Sequence, residues 1–333
     1  MSRPGSRLGL AVPFFQTLGA AEYLGLAREA EARGYDTAWT AEVAGQDAFT
    51  TMALIASQTT RLRVATGVVP VQTRTPIVLG MTAATLANVA PGRIALGLGV
   101  SSPIIVGQWH GLAFRKPLQQ LREAVQVIRL VLAGERVNFE GEFYRLRNFR
   151  LSLTVPAPVR IYLGALGPRM LELAGEIADG VLLNWLAPAA VTASLKHLEA
   201  GARRAGRNLG DFEIAAFIRT CVTDDVEPAR QALARDITGY VIVDAYAAFF
   251  RACGYAEEVE AAQRAWQAGD RAGAVRQISA RVLDGLGNIG SADACRARVA
   301  EFAKAGLTMP VIFPFAPEAD PRPGLLRTVR TFP

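Results

Sequence analysis

The sequence predicts an α/β protein folded as a (β/α)8 TIM barrel, and three observations carry that expectation. Short apolar runs alternate with longer segments of helical periodicity along the whole chain. The alternation repeats in strict strand–helix order, the pattern of parallel strands joined by crossover helices. A length of 333 residues, 51% hydrophobic and 20% charged, supplies one large core and excludes a disordered chain. A single barrel domain over residues 1–333 is expected, with an open doubly wound sheet as the alternative for the same pattern.

The first strand is Arg7–Val12, followed by a helix in which Leu24, Ala27 and Ala30 recur at helical spacing before Gly34 ends it. Thr37–Thr40 is the second strand, with a helix over about 47–57. Leu62–Val69 is the third, with a helix from Ile77 to Asn88. "RIALGLG" is the fourth, and Pro117 suits the first position of the helix that runs to Ala133. "RVNFEGEFYRLRNFRL" then alternates apolar and polar residues around Glu140-Gly141, a hairpin inserted before strand five. Val159–Leu163, Gly180–Leu183 and Glu213–Val222 are strands five to seven, separated by helices at Pro168–Ile177 and Pro188–Ala205. A long Ala-rich helical insertion over about 227–283 follows strand seven. Ala292–Ala305 is one more helix, and Met309–Phe313 is strand eight.

Composition narrows the function. The net charge is +6, yet the arginines are scattered along helical segments without a basic run, so no nucleic-acid partner is expected. No stretch approaches the ~18 uninterrupted apolar residues of a membrane span, and the N-terminus reads as a strand rather than a signal peptide. Cys221, Cys253 and Cys295 are far apart and form no C-x-x-C pair, as in a reducing cytoplasm. Only two histidines, His110 and His197, leave little material for a His-rich metal site or a Ser-His-Asp triad.

Barrel ligands bind at the C-terminal ends of the strands. Those exits are Phe14, Glu42, Gly67-Val68, Gly99-Val100-Ser101, Ala165-Leu166-Gly167-Pro168, Asn184-Trp185, Arg219 and Pro314-Phe315. The set is aromatic and glycine-rich, suited to a flat ring with a phosphorylated tail. "GLGVSS" and "GALGPRM" place glycines at helix starts, where backbone N–H groups favour an anion, although short loops use glycine in any case. Gly99-Val100-Ser101 also has the start of a nucleophile elbow, but Pro103 replaces its second glycine. Glu42 either handles a proton or ring edge, or caps a helix and pairs with an arginine. In "QWHG", Trp109 and His110 either line a substrate or pack their loop.

Together "GYDTAWTAE", "TGVVPVQTRTP", "GRIALGLGVSSP", "QWHG", "ALGPRM" and "LAGEIADGVLLNW" resemble the bacterial luciferase-like monooxygenase superfamily. They look most like its branch using the deazaflavin coenzyme F420, in particular methylenetetrahydromethanopterin reductase. The resemblance implies a barrel with a helical insertion after strand seven and a cis Gly67–Val68 peptide behind the cofactor ring. It implies tail-phosphate contacts at Val100-Ser101 and Leu166-Gly167-Pro168, flanked by Gly99 and Ala165, with Glu42 near the polar edge of the ring. Glu42 and His110 are then the candidate catalytic residues, and Phe14, Trp39, Trp109, His110 and Trp185 the candidate substrate walls. The expected activity is hydride transfer between F420 and a small organic substrate in a homodimer. FMN-dependent monooxygenation and non-catalytic flavin binding are the alternatives. Val43 and Ser102 stand where the F420-dependent sugar-phosphate dehydrogenase carries a histidine and an acid, which argues against that enzyme's proton relay and substrate.

Overall fold

Side chains of very different size fill the inside of the barrel. Alanines at 11, 65, 95 and 215 face the rings of Trp39, Tyr162, Phe217 and Phe313, with Leu182, Met309 and Val311 between them. Small residues on some strands make room for large ones on others, so the interior is packed rather than hollow. The structure, a computed structural model, describes residues 7–13 and 18–332; Phe14 lies outside the described residues.

Among the described residues the strands are β1 (Gly9–Ala11), β2 (Thr37–Thr40), β3 (Arg63–Thr66), β4 (Val69–Pro70), β5 (Ile94–Gly99) and β6 (Val137–Glu140). They continue as β7 (Arg145–Phe149), β8 (Arg160–Gly164), β9 (Gly180–Asn184), β10 (Glu213–Val222), β11 (Gly287–Gly290) and β12 (Met309–Pro314). Parallel pairing runs β1, β2, β3, β5, β8, β9, β10, β12, and β12 closes on β1 through Gly9↔Val311 and Leu10↔Ile312. This is the expected eight-stranded barrel. The antiparallel β6–β7 hairpin stands outside it, its turn held by the buried Glu123 carboxylate, which accepts the N–H groups of Glu142 and Phe143. Helix starts follow local chemistry. Asp47 caps the helix Ala48–Gln58 by accepting from Thr50 N–H at 2.7 Å, and Thr75 caps Pro76–Val89 with proline at its first position.

Three elements differ from the sequence expectation. The third strand, expected unbroken over 62–69, stops at Thr66 and resumes as β4, which pairs with β5 instead of β2. The insertion, expected over 227–283, is five helices between Val226 and Leu286, and its own apolar core reaches the barrel through Trp185. It hands over to β11, a short strand on the far end of β10, whose "GNIG" holds a single good β-former. The last helix, Arg322–Thr331, returns to the first one: Tyr35 Oη donates to Val329 O, and Arg33 Nη1 to Arg330 O.

The N-terminal end of the barrel is closed by charge. Glu213, at the start of β10 and with its side chain 8% exposed, accepts from Arg7, Arg63, Arg160 and the Tyr162 hydroxyl. Asp36 takes the other side of Arg63. A recess of about 290 Å³ opens among these side chains, at the opposite end from the strand exits. In this fold that end serves stability. Burial raises the Glu213 pKa, but the bonds from Arg63 and Tyr162 outweigh it and hold the carboxyl below its ordinary value of 4.5. A depressed carboxylate contributes stability above its unfolded pKa and loses it as pH falls through the folded value. Glu213→Gln should therefore cost about 2 kcal/mol in urea denaturation at pH 7, a loss that shrinks as pH is taken below 4.5.

Candidate active site

The strand-three exit is shaped by what β5 leaves out. A Cβ on Gly97 would lie 1.9 Å from the Thr66 carbonyl oxygen, so only glycine lets β3 approach there. Ladder pairing of β3 with β5 ends at Ala65↔Ala95. Thr66 then replaces it with its side chain: Oγ1 donates to Gly97 O at 2.7 Å and accepts from Gly97 N–H at 2.8 Å. The chain bulges out through a cis Gly67–Val68 peptide and rejoins at Val69↔Leu98. Val68 drops its isopropyl group against Gly99 and Gly164, whose Cβ positions would lie 2.5 and 3.2 Å from Val68 Cγ2. Gly67 sits directly on the interior layer, where a Cβ would meet Phe217 Cζ at 2.8 Å, Leu182 Cδ2 at 3.0 Å and Trp39 Cε3 at 3.2 Å. The result is a bare backbone shelf at the strand-three exit, over the packed interior.

Beside it, Arg74 joins three elements. Its guanidinium grips Glu42 with both nitrogens, Nη1–Oε1 at 2.5 Å and Nη2–Oε2 at 2.9 Å, and also meets Asp47 Oδ2 at 2.5 Å. Glu42 Oε2 further accepts Ala48 N–H at 3.3 Å, and Arg74 lies 5.2 Å from the centre of the Phe49 ring. Glu42 thus pairs with an arginine and caps the next helix. The hydrogen bonds Arg74 donates to Glu42 raise its pKa further, and burial of Asp47 is outweighed by the Thr50 bonds and Arg74, which hold it below its usual range. In the same loop, both amide atoms of Gln72 are buried without a hydrogen-bond partner among the described residues.

The strand-five exit offers a different surface. Gly167 precedes the helix Pro168–Ile177 with no side-chain cap, and a Cβ on it would meet nothing within 4 Å. Pro168 carries no N–H and Met170 N–H bonds to Gly167 O at 3.1 Å, so the N–H groups of Gly167 and Arg169 are the ones left to solvent or a ligand. After β5, Ser101 adopts a left-handed backbone (φ 57°), and the chain enters a π-helix, Ile104–Trp109. This excursion exposes Ile104, Trp109 and Leu112, with Trp109 56% exposed and His110 at its end.

With this geometry in view, the comparisons with known proteins decide the family. Residues 6–309 match the model described as luciferase-like monooxygenase. The chain belongs to the luciferase-like monooxygenase family. It is 33% identical over 329 residues to a Mycobacterium tuberculosis protein provisionally named a coenzyme F420-dependent oxidoreductase, covering 92% of this chain and 95% of that one. It is 28% identical to the 5,10-methylenetetrahydromethanopterin reductase of Archaeoglobus fulgidus, over 85% of this chain and 86% of the relative. The fold aligns with the coenzyme F420-dependent tetrahydromethanopterin reductase of Methanopyrus kandleri at a TM-score of 0.82, 22% identity and 98% of both chains.

Set against this luciferase-like barrel, the expected site residues separate into groups. Glu42, Gly67, Val68, Gly99, Val100, Ser101, Ala165, Leu166, Gly167 and Pro168 all stand at exits of neighbouring strands. Gly99 has a packing reason of its own, the Val68 side chain. Trp109 and His110 lie on the exposed excursion. Trp39 and Trp185, expected as substrate walls, are each 1% exposed: Trp39 stands edge-on to Tyr162 inside the barrel, and Trp185 packs beneath the insertion. What the sequence reading missed is the setting of Arg219. It reaches inward from β10, one interior position beyond Phe217, into Asn184, Asp236, Tyr240 and the rings of Trp185 and Phe313. One arginine within the apolar run "EIAAFIRTCV" was the available signal.

The glycines should respond unequally to substitution. Gly97→Ala should cost roughly 3 kcal/mol or more, because a backbone carbonyl must move. Gly167→Ala, at φ −88° in open space, should leave Tm within about 2 °C of the parent. Thermal denaturation of the two variants side by side checks both.

Proposed function

We propose that this protein transfers a hydride between coenzyme F420 and a small organic molecule. The observation that carries this reading is the backbone shelf at Gly67–Val68, two strands along from the open helix start at Gly167-Pro168. A flat ring would find a surface without projecting polar groups at the first, and a phosphorylated tail the N–H donors of Gly167 and Arg169 at the second. The residues present fit the cofactor. Val68 and Gly67 would support the ring, Gln72 and Glu42 would meet its polar edge, and Val100, Ser101, Leu166 and Gly167 would hold the tail phosphate. When bound, the deazaflavin supplies the hydride chemistry; the protein holds ring and substrate face to face and excludes water. Trp109, Ile104 and Leu112 are suited to that exclusion, being apolar side chains on a strand-exit excursion. Glu42, gripped by Arg74, would act as a fixed acceptor at the ring edge rather than as a mobile base, and His110 is the candidate for proton traffic from the rim.

The whole chain is read as one luciferase-like barrel domain with a helical insertion, working in the cytoplasm as a homodimer. Three unpaired cysteines suit a reducing compartment, and no helix among the described residues is long and apolar enough to cross a membrane. The dimer has its own support. Val78, Met81 and Val89 lie along one face of the helix Pro76–Val89, each exposed by 45% or more, with Leu54 exposed on the helix Ala48–Gln58. Met81→Glu should move the protein from dimer to monomer mass in light scattering.

Fluorescence titration tests the cofactor. Saturable F420 binding at micromolar levels or tighter is expected; saturation by FMN with no response to F420 would replace this reading with a flavin enzyme. Gly167→Asp sharpens the test. A carboxylate there caps the helix and should keep Tm equal or higher, while weakening F420 by about tenfold or more through repulsion of the tail phosphate. The phosphate-free ring–ribityl fragment should bind parent and variant alike.

A further inference from the structure

The Arg219 side chain is 2% exposed and lies over two rings, its Cζ 4.0 Å from the centre of Trp185 and 4.3 Å from that of Phe313. It carries five N–H donors. Nη1 donates to Asn184 Oδ1, and Nη2 reaches Tyr240 Oη only at 3.4 Å. Nε has no hydrogen-bond acceptor among the described residues; the carboxylate of Asp236 forms an ion pair with it at 3.7 Å, too long for a hydrogen bond. Asn184 is itself oriented, since its amide nitrogen donates to Tyr246 Oη at 3.0 Å. Glu213 on the same strand shows the contrast: a charged group at the stability end collects four donor residues, whereas the cation at the ligand end is left short of acceptors. Buried cations in folded proteins are ordinarily fully hydrogen-bonded, so one that is paired but short of acceptors at a strand exit points to a ligand.

Position supports this. Arg219 lies in register with Phe313 and one interior step beyond Phe217, and Phe217 Cζ reaches to 2.8 Å of where a Gly67 Cβ would stand. The cation therefore belongs to the same mouth as the Gly67–Val68 shelf, on the opposite side of the barrel. A planar fork of N–H groups between aromatic rings matches a carboxylate attached to an apolar or aromatic body. We infer that Arg219, oriented by Asn184 and the rings of Trp185 and Phe313, anchors a carboxylate of the substrate, so that the molecule oxidised or reduced here is an organic acid. Burial pushes the Asp236 pKa up, only partly offset by Arg219. The inference rests on the hydride-transfer reading for what becomes of the acid, but not for its binding.

The test titrates the full-length protein, with and without F420, using benzoate, cinnamate and 4-phenylbutyrate and their amides. Fluorescence of Trp185, next to the guanidinium, and thermal shift are the readouts. At least one acid should saturate and bind about tenfold or more tighter than its amide. Arg219→Lys should weaken that acid by about tenfold and Arg219→Met should abolish its binding, with F420 affinity of both variants kept within about threefold of the parent. Should Arg219→Met fail to fold, Arg219→Lys and Asn184→Ala decide, the latter expected to lose about fivefold through loss of orientation. Equal binding of acid and amide, acid binding indifferent to Arg219→Lys, or no saturable binding of any acid overturns the assignment. Arg219-dependent acid binding in a protein that ignores F420 would keep the anion site and remove the deazaflavin reading. F420 binding without an acid site does the reverse.

Discussion

Everything at the mouth of this barrel depends on the absence of a side chain at Gly97. Because the Thr66 carbonyl occupies the place of its Cβ, β3 and β5 come together closely enough for the Thr66 hydroxyl to take over both backbone groups of Gly97. That exchange frees the next two residues from the ladder. The ring-sized backbone surface, the seating of Val68 on Gly99 and Gly164, and the loop that carries Gln72 and Arg74 toward Glu42 all follow. One steric allowance on a neighbouring strand thus sets the position of groups contributed by strands two, three, four and five.

Charge is distributed unevenly between the two ends. At the N-terminal end acids and arginines satisfy one another around Glu213, and the side chains lock strand starts together. At the C-terminal end the Glu42–Arg74–Asp47 group is also well bonded and holds its loop rigid, but Arg219 is not. Rigid surroundings and one under-bonded cation are what a preorganised binding surface requires, since the groups that meet a ligand should need little rearrangement.

Most of the fold was legible from periodicity, because each barrel strand is apolar, short and followed by a helix with a recognisable start. The strand over 62–69 looked continuous because its valines stay apolar through the bulge; hydropathy does not register a change of pairing partner. β11 escaped notice because two of its four residues are glycine. Within the site, Gly67, Gly99 and Gly167 stood out by residue type, yet the reason for Gly99 is a valine thirty-one positions earlier, which no local pattern could supply. The two tryptophans are a matter of depth: each is 1% exposed, Trp39 inside the barrel and Trp185 against the Arg219 guanidinium. Their large rings at strand exits suggested pocket walls, but the sequence alone does not say which aromatic side chains turn inward and which stand at the rim. Asp236 and Tyr240 reach Arg219, and Tyr246 reaches Asn184, from helices whose placement is a matter of tertiary packing.

The pairing of β1 with β12 has a consequence for how the chain is made. Gly9 and Leu10 find their hydrogen-bonding neighbour in Val311 and Ile312, so β1, once synthesised, must wait on the order of tens of seconds for β12. During that interval one side of the nascent sheet is an open template for other chains. Its brevity, three residues against the ten of β10, keeps that template small until the final strand seals it.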